Sequence, residues 1–440
     1  MSNFENTAQS VGAFSQADDL KKRIIYTLFI LIIYRFGTYI PIPGIDPTSL
    51  KDIVGGNERS LLGMFNVFAG GAVQRMAIFA LGIMPYISSS IIVQLLTGVT
   101  DYFKNLKSQG EFGRKKITQY TRYGTVLLAL VQGYGVSVSL ENSQGIVLEP
   151  GIYFRFVTTV TLLTGTVFLM WLGEQITSRG VGNGISLIIF SGIVAEIPRA
   201  LASTFELGRT GALSSLVIIG VIILLLVAIY FIVFVERAQR RVVVQYPKRQ
   251  VGNKMYGGES SYLPLRVNTA GVIPAIFASA LLLLPITLSN FSTDSSSFMI
   301  GVTSMLGQGK PLYMLIYAGG IVFFSFFYTS IIFNPNETAE NLRKHGGFIP
   351  GIRPGERTAF FINDLLIKLT TIGSTYLVII CLMPEVLIAN YPIPFYLGGT
   401  SLLIVVVVGM DTINQIQTRL MSVQYQSCLL YTSDAADERS

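Results

Sequence analysis

Stretches of apolar residues, each about as long as a bilayer is thick, recur ten times along this chain. They cover about 22–41, 75–97, 120–140, 153–173, 183–201, 213–235, 270–289, 312–333, 363–384 and 394–412. About 20 such residues in a helix cross a hydrocarbon core of ~30 Å. Of the 440 residues 51% are hydrophobic and only 13% are charged, against about 25% charged in a soluble domain. Lipid is therefore the expected solvent for most of the chain. No apolar segment has the polar leader and small-residue cleavage site of a signal peptide, so the first span is expected to stay. The two cysteines, Cys381 and Cys428, are too few for a disulfide framework. Cys381 lies in an apolar run and reads as a small buried hydrophobe.

The loops set the expected orientation. Lys21, Lys22 and Arg23 precede the first span. Lys104, Lys107, Arg114, Lys115, Lys116 and Arg122 lie between spans two and three. Arg237, Arg240, Arg241, Lys248, Arg249, Lys254 and Arg266 lie between six and seven, and Arg343, Lys344, Arg353 and Arg357 between eight and nine. The alternate loops carry few such cations, so the positive-inside rule places the basic loops and both termini in the cytoplasm. The net charge of +7 is thereby concentrated on one face. Two of these loops, 236–269 and 334–362, are longer than a bare connection needs, and loops of that length are usually functional or disordered. In the first, "RRVVVQYPKRQVGNK" predicts an extended hairpin turning at Gly252-Asn253. In the second, Pro354 and Gly355 of "GIRPGERTAFF" predict a tight turn that presents Arg353 and Arg357.

Enzyme chemistry finds no residues to carry it, and neither a metal nor a cofactor is expected. The single histidine, His345, cannot supply a metal cluster or a Ser–His relay. "GQGKP" at 307–311 lacks the first glycine of a phosphate loop and has Pro311 where Ser or Thr should follow the lysine. Transporters and pumps mark their path with intramembrane acids and histidines, whereas most span centres here are uncharged. Arg35 lies in the outer half of the first span, where it can snorkel or pair. Glu196, Asp364, Lys368 and Asp411 fall near span ends, within reach of water. A secondary transporter for small solutes stays as the alternative, and would need a polar midplane site.

Gly82 and Pro85 interrupt the second span, and Ile83 and Ile87 stand four residues apart around the proline. A proline inside a helix removes a backbone hydrogen bond and kinks it. Broken helices at that depth are tolerated where they line a cavity. Just upstream, "LLGMFNVFAGGAV" (61–73) is apolar but too short to cross, and reads as an interfacial or re-entrant segment.

Several motifs run in order along the chain: "YIPIPGID" (39–46), "MFNVFAGGA" (64–72), "ALGIMPYIS" (80–88), "GEFGRKKITQYTRYGT" (110–125), "FLMWLGEQIT" (168–177), "RGVGNGIS" (179–186), "GVIPAIFAS" (271–279), "FNPNETAENLRKHGGFIPGIRPGERT" (333–358) and "PFYLGGTSLLIVVVVGMD" (394–411). With them, residues 15–427 resemble the bacterial SecY branch of the SecY/Sec61 alpha family, the channel subunit of the protein-secretion translocon. The resemblance implies an all-α polytopic membrane protein of ten transmembrane helices, in two inverted pseudo-symmetric halves around an hourglass pore. It divides the chain into a cytoplasmic segment 1–22, an N-terminal half 23–201, a C-terminal half 202–412 and a cytoplasmic tail 413–427. After "MSVQYQS" the chain reads "CLLYTSDAADERS", unlike the basic tail of the family, so 428–440 is expected to be a non-native scar.

The resemblance also implies site residues. Ile83, Ile87, Ile185, Ile189, Ile276 and Ile404 would form an apolar ring that gates by dewetting. Met64, Phe65, Asn66, Phe68, Gly70 and Gly71 would belong to a plug. Ser88, Gln94 and Asn268 would lie along a lateral gate. Arg240, Arg241, Lys248, Arg249, Arg353 and Arg357 would dock a motor or a ribosome, whose RNA rewards clustered cations. The implied partners are SecE and SecG in the membrane, the SecA motor ATPase, the ribosome, signal sequences and unfolded preproteins, and the lipid bilayer. The implied activity is passive: a protein-conducting channel in the bacterial plasma membrane, releasing membrane-protein helices sideways into lipid.

Overall fold

The computed structural model describes residues 18–45, 66, 69–142, 147–211, 214–246, 249–251, 254–256, 260–289, 310–390 and 399–437. In chain order the described elements begin with α1 (Asp18–Gly37), α2 (Met84–Val99), α3 (Asp101–Ser108), α4 (Glu111–Asn142), α5 (Ile152–Arg179), α6 (Gly184–Arg209) and α7 (Ser215–Arg237). Four short strands follow: β1 (Gln239–Gln245), β2 (Arg249–Val251), β3 (Lys254–Tyr256) and β4 (Ser260–Arg266). The chain then returns to helix in α8 (Ile273–Ser289), α9 (Pro311–Ile332), α10 (Pro335–Lys344), α11 (Glu356–Asn390) and α12 (Gly399–Asp437).

Among the described residues, 7 helices are long and apolar enough to cross a membrane. The other three expected spans correspond to α1, which has Lys21, Lys22, Arg23 and Arg35 within its length, and to the shorter apolar helices α2 and α8. The surface of α7 shows what solvent this fold expects. Leu216, Ile219, Ile223, Leu226, Val227 and Phe234 are all exposed on it, an apolar surface that water would not tolerate on a monomer.

The second span departs from expectation. Helix α2 does not run through Gly82; it begins at Met84, one residue before Pro85, after a run of turns over 69–83. Pro85 is thus the second helical residue, where its missing N–H costs nothing. It starts a helix rather than kinking one. Pro274 does the same as the second residue of α8.

The chain divides into two compact units: Met1–Val93, Glu111–Leu201 and Ile404–Ser440 form one, and Gln94–Gly110 with Ala202–Leu403 the other. In the first, α4 packs along α5, and α5 also packs on α1. Ion pairs clasp both ends of the α4–α5 hairpin. Arg122 donates through Nε and Nη2 to the Glu174 carboxylate at 2.7 and 2.8 Å, and Arg155 donates to Glu141. The fork geometry of the first pair is the strong form of this contact. Between them Leu140, Phe154 and Leu162 bury against Ile42, Ile45, Met76, Ala80 and Leu81. Residues 40–42 pair with 76–78: Ile42 donates to the Met76 carbonyl at 2.9 Å and Ile78 to that of Ile40 at 3.0 Å. Helix α6 starts at Gly184, where a Cβ would collide with the Gly173 carbonyl of α5. Only glycine lets the two backbones approach this closely.

In the second unit α9 packs against α8 and α11, and α10 against α11. Phe277 of α8 meets Phe324 of α9 edge-on at 5.7 Å, a favoured aromatic arrangement. Strands β1 and β4 pair antiparallel with Val242 opposite Leu263, and β2 and β3 pair with Val251 opposite Lys254. This is the ribbon that the β-branched run predicts, although Gly252 and Asn253 lie outside the described residues. Val242 and Leu265 of the ribbon bury with Ile349 of the second long loop and Ile362, Leu366 and Leu369 of α11. Gln245 and Phe348 exchange two backbone hydrogen bonds of 2.9 and 3.0 Å. The two long loops therefore share one small core.

Candidate functional site

The six isoleucines of the expected ring share a local position. Ile83 and Ile87 flank the start of α2, and Ile185 and Ile189 lie in the first two turns of α6. Ile276 is in the first turn of α8, and Ile404 in the second turn of α12. Ile83, Ile87, Ile185, Ile189 and Ile404 belong to the first unit, Ile276 to the second. Ile83, Ile87, Ile189 and Ile404 are buried, and Ile185 and Ile276 are partly exposed. Each offers a side chain stiff at χ1 and without a hydrogen-bonding atom.

Upstream of α2 the turn segment is made of small residues. Ala69, Gly70, Gly71 and Ala72 are all buried, and both glycines take left-handed backbone, at φ 62° and 81°. Met76 is also left-handed, at φ 39°, a conformation that costs an ordinary side chain about 1 kcal/mol or more. Of the expected plug residues, Asn66, Gly70 and Gly71 are described, whereas Met64, Phe65 and Phe68 lie outside the described residues. Asn66 is fully buried, and its Oδ1 accepts the Gln74 N–H at 3.0 Å.

Polar side chains from α1 and α6 hold this segment. Arg35 Nη1 donates to the Gly70 carbonyl at 2.6 Å. Arg199 Nη1 donates to Gln74 Oε1 at 2.6 Å. Arg75 lies over the Tyr39 ring at 4.2 Å, a cation–π contact. Glu196 is not near water as its sequence position suggested. The residue is 3% exposed, and its carboxylate lies against Gly71, where a Cβ would collide with Oε1. Of this set, the sequence points to Arg35 and Glu196 for other reasons and to Arg199 only as one of the few cations of an outer loop, and gives no sign of Gln74 or Arg75. The available signal was the spacing of Glu196 and Arg199, one turn apart on one helix face.

The expected gate residues have different surroundings. Ser88 is buried in α2, and Gln94 is partly exposed on the same helix. Asn268 is buried, and its amide is engaged within its own unit. Nδ2 donates to Glu236 at 2.6 Å and to the Gly271 carbonyl at 3.2 Å, and Oδ1 accepts the Gly271 N–H at 3.1 Å. Among the expected docking residues, Arg240 and Arg241 are exposed on β1, and Arg353 and Arg357 are exposed around the Pro354-Gly355 turn. That turn is fastened by Thr358, whose hydroxyl donates to the Arg353 carbonyl at 3.0 Å. Arg249 lies on β2, and Lys248 is outside the described residues.

Helices long and apolar enough to cross a bilayer, with apolar side chains facing outward, define a polytopic helical membrane protein. The SecY sequence profile matches residues 77–413. A protein translocase subunit SecY of Rickettsia bellii is 55% identical over 417 residues, covering 94% of this chain and 96% of that one. The subunit of the same name from Escherichia coli K12 is 52% identical over 416 residues, covering 93% and 94%. The chain belongs to the SecY family.

Solved structures share the fold. "The structure of a protein conducting channel" superposes with a TM-score of 0.67 at 16% identity, covering 92% of this chain and 93% of that one. A SecY structure is described by its plug domain, which stabilises the closed state of the translocation channel and maintains a membrane seal. It gives 0.66 at 17% identity, with coverage of 92% and 93%. Sec61 in a canine ribosome–channel complex gives 0.64 at 16% identity, again covering 92% and 93%.

Proposed function

We propose that this chain is the protein-conducting subunit of a bacterial translocase, set in the plasma membrane with both termini cytoplasmic. The observation that carries the reading is family membership along nearly the whole length, at 55% identity over 94% of the chain. A small-solute transporter finds no support among relatives named as protein translocase subunits.

In this reading the six isoleucines form the collar through which a polypeptide threads. A hydrated ion in such a ring must shed water with nothing to replace it, while an unfolded chain meets no group that grips it. The 61–73 segment is the plug. The gate opens toward lipid between spans two and three on one side and seven and eight on the other, with Ser88, Gln94 and Asn268 along it. Interhelical hydrogen bonds in membranes average about 0.6 kcal/mol. A signal segment of about ten leucine-like residues gains roughly 3 to 6 kcal/mol on entering lipid. The substrate's own hydrophobicity is therefore sufficient to shift a two-state gate. Energy for transport comes from a motor such as SecA, from a translating ribosome or from the membrane potential, with the motor or ribosome docked at Arg240, Arg241, Lys248, Arg249, Arg353 and Arg357, and SecE and SecG complete the membrane complex.

The test is the collar. Ile404→Asn and Ile276→Asn, each placing an amide in it, should raise the resting ion conductance of the reconstituted channel and admit substrates with defective signals. Conductance equal to the parent protein in both variants would remove these residues from the path.

A further inference from the structure

The 69–76 segment is held by polar contacts rather than by apolar bulk. Ala69, Gly70, Gly71 and Ala72 offer few side-chain carbons, so their burial contributes little. Arg35 on the Gly70 carbonyl and Arg199 on Gln74, both at 2.6 Å, are charged hydrogen bonds from two helices that flank the segment. Charged hydrogen bonds are roughly twice as strong as neutral ones. Glu196 adds a third contact. Its Oε2 is buried and has no hydrogen-bond partner among the described residues, and the same holds for Arg75 Nη1. Both groups border Gly71: a Cβ there would lie 3.4 Å from Arg75 Nη1 and would collide with Glu196 Oε1.

We infer that Glu196, Arg199 and Arg35 form a latch that keeps the 69–76 segment seated, with Arg75 as the counter-charge that leaves when the segment leaves. The inference rests on the channel reading and assigns its resting seal to these side chains. A buried carboxylate needs opposite charge close by, and stranding it is strongly unfavourable. Glu196 sits on α6, while Arg75 belongs to the segment. Displacing the segment takes the Arg75 cation away and leaves the carboxylate with Arg199 alone, one turn along its own helix, and that loss of favourable charge resists displacement. Gly71 has to be glycine twice over, for its left-handed backbone at φ 81° and for the carboxylate that lies against it.

The test uses the full chain, purified with its co-purifying membrane subunits and reconstituted in planar bilayers. Glu196→Gln keeps the shape and removes the charge. It should raise resting ion conductance about tenfold, the shift expected from losing one charged interaction, with an unchanged unfolding midpoint. Gln74→Leu removes the acceptor of Arg199 from the segment side and should leak without any change to α6. Arg199→Lys, which keeps charge and donor, should stay tight where Arg199→Leu leaks. A merely structural role would move the unfolding midpoint and would not distinguish lysine from leucine. If Glu196→Gln and Gln74→Leu both conduct like the parent while Ile404→Asn leaks, the latch is wrong and the channel reading stands. If none of them leaks and the parent moves no polypeptide, both fall.

Discussion

Helices α2 and α8 begin with the same device but are anchored in opposite ways. Gly82 and Gly271 both take left-handed backbone, at φ 56° and 64°, and Pro85 and Pro274 follow as the second residue of their helices. Ahead of α8 the anchor is local: Asn268 closes the turn on Gly271 and ties it to Glu236 at the end of α7. Ahead of α2 the Gly82 N–H donates only to its neighbour Phe79, at 2.8 Å. The segment before it is held by Arg35 and Arg199, whose hydrogen bonds reach across 35 and 125 residues of sequence. A start capped by its own turn is a fixed bearing. A start held from distant helices depends on side chains brought to it by the rest of the fold.

The largest expected effect separates the two asparagines. Asn268→Leu removes three hydrogen bonds of a buried amide and should cost about 3 kcal/mol, read as a lower midpoint of denaturant unfolding in detergent. Asn66→Leu removes the side-chain hydrogen bond that Asn66 Oδ1 accepts from the Gln74 N–H, and its Nδ2 has no partner among the described residues. It should cost about 1 kcal/mol. Equal losses would break the comparison. Next come the glycines. A Cβ at Gly271 meets open space, and one at Gly82 makes ordinary contact with Ala69 at 3.7 Å, so only the backbone resists. Gly82→Ala and Gly271→Ala should each cost about 1–2 kcal/mol, with asparagine tolerated better than alanine at both. The smallest effect belongs to the prolines. Pro85→Ala and Pro274→Ala should each change stability by less than about 1 kcal/mol. A gain near 3 kcal/mol would mean that the proline had been breaking a helix interior.

Much of this arrangement is legible in the sequence, because lipid imposes a length and a hydropathy that few other pressures imitate. The ribbon between α7 and α8 is legible for a similar reason: Val242 and Val244 alternate with exposed neighbours along β1. The start of α2 is not. Residues 75–83 are as apolar as the helix that follows, so hydropathy cannot tell a turn from a helix, and Pro85 reads as a kink when it is an opening. Glu196 is misplaced for the converse reason. The apolar run fades near residue 201, but α6 continues to Arg209, which puts the carboxylate inside the helix and away from its end. The contacts of Arg199 and Arg75 depend on how a small-residue turn folds back, and no local pattern encodes that. The last helix also runs on through Cys428 to Asp437, past the point where the sequence changes character.

The exchange of hydrogen bonds between Gln245 and Phe348 has a mechanical meaning. It couples the β1–β4 ribbon to the turn that carries Arg353, over a shared core with the first turns of α11. A load applied at that arginine cannot be absorbed by one flexible arm. It is shared between the ribbon that follows α7 and the first turns of α11, which the same small core joins.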